Sequence, residues 1–136
     1  MKLQEVNRDD FDYIVSMETR WKDMDALGHM NNAVYLTYTE SARLEWCLQN
    51  GFDEPPFIVV SIKVDFLKQL KHPATLHVGQ KVSRVGSSSF DFLSAIFKDD
   101  ETEPTAVILT TLVCFDYKTQ KTVAVPQLIK GQFKGE

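Results

Sequence analysis

Asn32-Ala-Val-Tyr35-Leu-Thr-Tyr38-Thr-Glu40-Ser-Ala42-Arg43-Leu-Glu-Trp46-Cys47-Leu-Gln-Asn50-Gly51 is the stretch that decides the fold. Between Ala33 and Asn50 it holds neither Gly nor Pro, Asn32 can cap its start, and Gly51 stands where a helix stop is expected. A helix over these 18 residues is about 27 Å long. Val34, Tyr35, Leu36, Tyr38, Ala42, Leu44, Trp46, Cys47 and Leu48 cover more than one narrow stripe of it. A helix that is apolar over most of its girth is surrounded by protein, not laid on a surface.

Upstream, Phe11, Tyr13, Val15, Met17 and Thr19 alternate with Asp12, Ile14, Ser16, Glu18 and Arg20, the period of a strand with one buried face. Downstream, Phe57–Phe66, Thr75–Val85, Ser88–Lys98 and Thr105–Tyr117 are rich in β-branched and aromatic residues. Turn residues separate them: His72-Pro73, Gly86-Ser87-Ser88 and the acidic run from Asp99 to Pro104. The order is one strand, one long helix, then four strands, and short connections join the last three. An α+β fold is expected, with an antiparallel sheet of about five strands wrapped around one central helix. Val107–Phe115 is apolar on both alternating faces, which points to a partner subunit covering one of them.

The 136 residues suit one domain spanning 1–136, and fifteen aromatics with interspersed charges exclude disorder. Cys47 and Cys114 form no CxxC or Cys/His cluster, so a reducing, cytoplasmic setting is expected. The first ten residues turn acidic where a leader has its apolar stretch, and no apolar run approaches a membrane span. A net charge of −4 and pI near 5.4 argue against nucleic acid as a partner. The charge is uneven, however. Lys63, Lys68, Lys71, Lys81 and Arg84 face only Asp65 within 63–84, either as a solvated face or as a dock for a phosphorylated ligand.

Polar chemistry concentrates in Asp23-Met-Asp25-Ala-Leu-Gly28-His29-Met-Asn31-Asn32, where a loop enters the helix. The opening resembles a calcium loop, but Leu27 and Val34 stand where oxygen ligands belong. Asp23, Asp25 and His29 make a poor transition-metal set without a second histidine, so no metal is expected. No Gly-x-Ser-x-Gly elbow or local Cys–His pair supports a serine or cysteine hydrolase. A carboxylate beside a helix N-terminus has two readings. It is a plain cap, or it is a base or nucleophile next to unpaired N–H groups that stabilise an oxyanion, the minimum machinery for acyl transfer.

Trp21-Lys-Asp-Met-Asp25-Ala-Leu-Gly28-His29-Met-Asn31-Asn32-Ala-Val-Tyr35, followed by Glu40-Ser-Ala-Arg43, resembles the signature of the 4-hydroxybenzoyl-CoA thioesterase-like acyl-CoA thioesterases, which are hotdog-fold proteins. Val64-Asp65-Phe66, Gly79 and Val85-Gly86-Ser-Ser-Ser-Phe90 extend the resemblance, which covers residues 11 to 126 or so. It implies a hydrolase that releases free acid and CoA without a cofactor. Asp25 is implied as nucleophile or general base, and the backbone N–H at Asn32 as the donor that polarises the thioester carbonyl. His29 enters the catalytic set as a substrate-orienting donor, a partner of Asp25 or a buried structural histidine. Gly28, Asn31 and Tyr35 are expected to bind substrate. Lys63, Lys68, Lys81 and Arg84 are expected to meet the CoA phosphates. Family sites lie at dimer interfaces, and dimers often pair into tetramers, so a homodimer or homotetramer is expected.

Two alternatives accompany this expectation. The Gly-His-x-Asn-Asn form is similar to that of acyl-carrier-protein thioesterases, although those carry a further Asn at the position of Leu27. A non-catalytic acyl-CoA-binding module would keep the pocket but has no evident use for Asp25.

Overall fold

The computed structural model describes residues 5–133; residues 1–4, which open the stretch read against a leader, and 134–136 lie outside it. Strand β1 (Tyr13–Glu18) precedes helix α1 (Val34–Gln49), and β2 (Phe57–Phe66), β3 (Thr75–Val85), β4 (Ser89–Lys98) and β5 (Ala106–Asp116) follow. A two-residue strand β6 (Lys121–Thr122) and a short helix α2 (Gln127–Gln132) end the order. Neither was signalled by the sequence pattern, because each is too short to show a period.

All pairings are antiparallel, in the order β1-β3-β4-β5-β2, with β6 on β5. β3, β4 and β5 are neighbours, as their short connections require. β2 joins β5 along nearly its whole length, with a bulge between Val59 and Ser61. The inner face of the sheet carries Leu76, Val78, Ile96, Ala106 and Ile108 against Tyr35, Tyr38 and Ala42 of α1. Farther along, Val82, Phe90, Phe92, Leu112 and Cys114 meet Trp46 and Cys47, and Ile129 of α2 closes this end.

Helix α1 begins and ends within one residue of its expected bounds, but its N-terminus is built differently. Asn32 does not cap it: Ala33 is the cap residue, and the Asn31 Oδ1 accepts the Ala33 N–H at 2.9 Å. At the other end, the Gly51 N–H reaches the Leu48 carbonyl and the Phe52 N–H reaches that of Cys47, the two bonds of a Schellman motif. Within one copy of the chain the sheet covers one side of the helix, so only one stripe is buried: Tyr35, Tyr38, Thr39, Ala42, Trp46 and Cys47. Leu44 and Leu48, counted toward a helix apolar over most of its girth, are 49% and 58% exposed.

The outer face of the sheet is partly covered by the chain's own N-terminal segment. Val6 and Phe11 pack on Leu93, Ala95, Phe97 and Val107. Phe11 therefore leaves the alternation expected for it: β1 starts at Tyr13, after a 3-10 turn over Arg8–Asp10, and Phe11 turns to the opposite face from Tyr13. The same packing corrects the reason for expecting a partner over the doubly apolar strand. Val107 is fully buried within one copy.

Phe11 fits because β3 offers no side chain beneath it. A Cβ at Gly79 would lie 2.6 to 2.9 Å from three Phe11 atoms. Gly79→Ala should cost about 1–3 kcal/mol, the range for overpacking a filled site. In a Phe11→Ala background the same change should be near neutral, and thermal melts of the four-member cycle will show whether the two effects cancel.

Candidate active site

Between the 3-10 turn Trp21–Asp23 and α1, the chain makes a tight hairpin. Met24 and Met30 form an isolated antiparallel bridge, the Asp25 N–H donates to the His29 carbonyl at 2.7 Å, and the Gly28 N–H donates to the Asp25 carbonyl at 3.1 Å. Gly28 takes φ +80°, a left-handed conformation in which an L side chain is disfavoured by roughly 1–2 kcal/mol. The Asp25 Oδ1 accepts the N–H groups of Leu27 at 2.9 Å and His29 at 3.1 Å. The carboxylate is thus oriented through one oxygen by its own loop.

Two anchors hold this hairpin. On one side Met30 is buried in the core, and its N–H donates to the Leu70 carbonyl at 2.8 Å. On the other side Asp23, 3% exposed, receives Arg20 through Nε at 3.1 Å and a terminal nitrogen at 2.8 Å, and also the Tyr38 hydroxyl of α1. The Asp23 carbonyl accepts the Asn31 N–H at 3.0 Å. Burial alone would raise the Asp23 pKa, but the Arg20 and Tyr38 hydrogen bonds outweigh it and hold the carboxyl below the usual aspartate range. Burial, reinforced by Asp23, pushes the Tyr38 hydroxyl up to about 12. Asp23, weighed from the sequence only as a possible ligand, is therefore the strut between loop and helix. Its Arg-x-x-Asp spacing was the available signal; the Tyr38 contact needed the fold.

A cleft of about 310 Å³ opens beside the hairpin, lined by Asp25, His29, Asn32, Tyr35, Lys68 and the end of β2 with its following loop, Phe66 to Leu70. Among the described residues the Asn32 N–H has no hydrogen-bond partner, while its neighbours are engaged: Asn31 with Asp23, Ala33 with the Asn31 side chain, and Val34 with the Asn31 carbonyl. An N–H left open at a helix N-terminus, together with the helix dipole, favours negative charge at that point. Tyr35 is buried and packs edge-to-face on Phe66 at 5.2 Å, giving the cleft an apolar wall. The contribution of Phe66 to Leu70 to this wall was not evident from the sequence, since it depends on β2 pairing with β5.

The structure thus brings Asp25, His29, Asn32, Tyr35 and Lys68 to one cleft, whereas Gly28 and Asn31, expected to bind substrate, do not line it and shape the loop instead. The other basic candidates do not line it. Lys63 opposes Leu109 on the outer face of the sheet. Lys81 lies over the Phe11 ring at 5.5 Å, and Arg84 makes a two-point pair with Asp91 at 3.0 and 3.1 Å. Burial pushes the Cys47 thiol up to about 11 and raises that of Cys114, so neither is a ready nucleophile. Among the described residues no group of three or more His, Cys, Asp or Glu side chains could hold a metal ion.

The thioesterase-like superfamily model matches residues 19–133, a span that contains the hairpin, the helix and every strand after it. The chain belongs to the thioesterase-like superfamily. It is 26% identical over 118 residues to the long-chain acyl-CoA thioesterase FadM of Escherichia coli, covering 80% of this chain and 87% of that protein. A Thermus thermophilus thioesterase, solved in complex with coenzyme A and Zn, superposes with a TM-score of 0.80 at 28% identity, covering 91% of this chain and 98% of that one. The PA5185 protein of Pseudomonas aeruginosa gives 0.85 at 26% identity, covering 96% and 98%. The hotdog fold and the thioesterase class expected from the sequence are both met.

The strut gives a pH-dependent prediction. Asp23→Asn should cost about 2 kcal/mol at neutral pH, the scale of losing hydrogen bonds to a buried charged acceptor. Because the folded pKa is depressed, this stability is present above the unfolded value near 3.9 and is lost as pH falls through the folded one. The gap in Tm between the wild type and Asp23→Asn should therefore be full at pH 7 and close in melts below about pH 4.

Proposed function

We propose that this chain hydrolyses acyl-CoA thioesters to the free acid and CoA. The observation that carries the reading is the unpartnered N–H of Asn32, a residue that lines the same cleft as Asp25. The N–H stabilises the negative charge that develops on the thioester oxygen when the carbonyl is attacked. Asp25 either attacks the carbonyl carbon itself, expelling the CoA thiolate and leaving an anhydride for water to open, or takes a proton from the attacking water. Its Oδ1 is tied to the loop, so the second oxygen is the one left for chemistry. Tyr35 and Phe66 receive the first part of the acyl group, and Lys68 meets the nucleotide end of the substrate. FadM's acyl-CoA chemistry supports CoA as the carrier over acyl carrier protein.

The working unit in this proposal is a homodimer or homotetramer located in the cytoplasm. One copy leaves Leu44 and Leu48 of α1 and Val60, Ile62 and Phe66 of the edge strand β2 exposed, an apolar surface suited to a two-fold partner. The buried free cysteines suit a reducing compartment. No helix among the described residues is long and apolar enough to cross a membrane. Light scattering at micromolar concentration should give at least twice the 15.6 kDa chain mass; a stable, active monomer would contradict the assembly.

Thiol release from a panel of acyl-CoAs of increasing chain length and of aryl-CoAs tests the activity. Asp25→Asn keeps the Oδ1 acceptor that shapes the loop and removes the negative charge. Its kcat should fall roughly 10²-fold or more with little change in Tm. Near-wild-type turnover by this variant across good substrates would return Asp25 to a purely structural role.

A further inference from the structure

Among the described residues Lys68 is the one lysine or arginine that lines the cleft, and it already has partners. Its Nζ lies 3.0 Å from Glu101 Oε1 and 3.7 Å from Glu103 Oε2. Both carboxylates belong to the acidic turn between β4 and β5. That turn is fixed in place. The Leu67 and Lys68 N–H groups both donate to the Thr105 carbonyl at its end, at 2.9 and 3.1 Å. Arg8 donates from its side chain to the Asp99 and Glu101 carbonyls, and its N–H donates to that of Thr102. The cluster at the cleft rim therefore carries one positive and two negative charges, a poor field for a polyanion. A phosphate that reaches Lys68 meets both carboxylates beside the ammonium.

We infer that Glu101 and Glu103 are specificity-determining residues that restrain Lys68, weakening the hold on the phosphates of a CoA thioester and on the CoA product. The inference rests on the acyl-CoA reading above. It follows that the nucleotide end is held loosely by design of the rim, and that discrimination falls on the acyl group in the apolar part of the cleft. The restraint is electrostatic and lies at the surface, so salt weakens it.

The test uses the full chain as wild type, E101Q/E103Q, Lys68→Met and the combination of all three changes. Free CoA is titrated by calorimetry, and kcat and KM are measured for an acyl-CoA and the matching acyl-pantetheine at low and high salt. In E101Q/E103Q at low salt, the CoA Kd and the acyl-CoA KM should both fall about two- to fivefold, the scale of an exposed ion pair. The kcat and the acyl-pantetheine KM should hold, and the gain should vanish in the Lys68→Met background and shrink at high salt. Acyl-CoA turnover with an unchanged or weaker CoA Kd in E101Q/E103Q overturns the restraint and leaves the thioesterase reading standing. A gain that persists without Lys68 also overturns it, because the carboxylates would then act on the phosphates directly. Neither turnover nor CoA binding in the wild type would overturn both.

Discussion

The Asp23 carboxylate, buried between the Arg20 guanidinium and the Tyr38 hydroxyl, is the interaction on which the site depends. A carboxylate is removed from water only where charge-assisted hydrogen bonds replace its hydration. Here those bonds join three parts of the chain: the exit of β1, the 3-10 turn and the second turn of α1. Because the Asn31 N–H also ends on the Asp23 carbonyl, the start of the helix is set relative to the same residue. The position of the open Asn32 N–H is a consequence of this strut and not of any feature of Asn32 itself.

Two carboxylates two residues apart thus sit in opposite environments. Asp23 is enclosed and fully engaged, so it serves as a fixed joint. Asp25 is exposed at the hairpin, with one oxygen spent on loop N–H groups and the cleft on its other side. The basic side chains divide in a similar way. Lys81 and Arg84 serve the outer face of the sheet, where they pack on Phe11 and pair with Asp91, while Lys68 lies in the cleft wall.

Much of this was legible in the sequence, for reasons that can be named. The long helix showed because nothing in 33–50 breaks it and Gly51 stops it; the strands showed because β-branched runs alternate with turn residues. Asp25, His29 and Asn32 were legible as a cluster because they lie within one short loop and need no long-range contact to be neighbours. What stayed hidden depends on distant pairing. Phe66 to Leu70 form a cleft wall only because β2 crosses to pair with β5, and the Lys68 pair with Glu101 spans 33 residues of chain. Phe11 misled because its place in the alternation is right for a strand, whereas the empty space over Gly79 on the other face captures its ring. Asn32 misled as a cap because Asn31, one residue earlier, takes the open backbone donor first.

The hairpin tip has a further consequence for how such a protein can change over generations. Ala26 and Leu27 sit between the carboxylate and Gly28, and both are exposed. The turn is closed by the Asp25 side chain and by main-chain groups, which do not depend on what side chains those two positions carry. Variation there leaves the core, the strut and the helix start untouched, yet it lands beside the exposed Asp25 carboxylate. A chain with this hairpin therefore has two adjacent positions at which the surface next to Asp25 can be rewritten while the scaffold stays as it is.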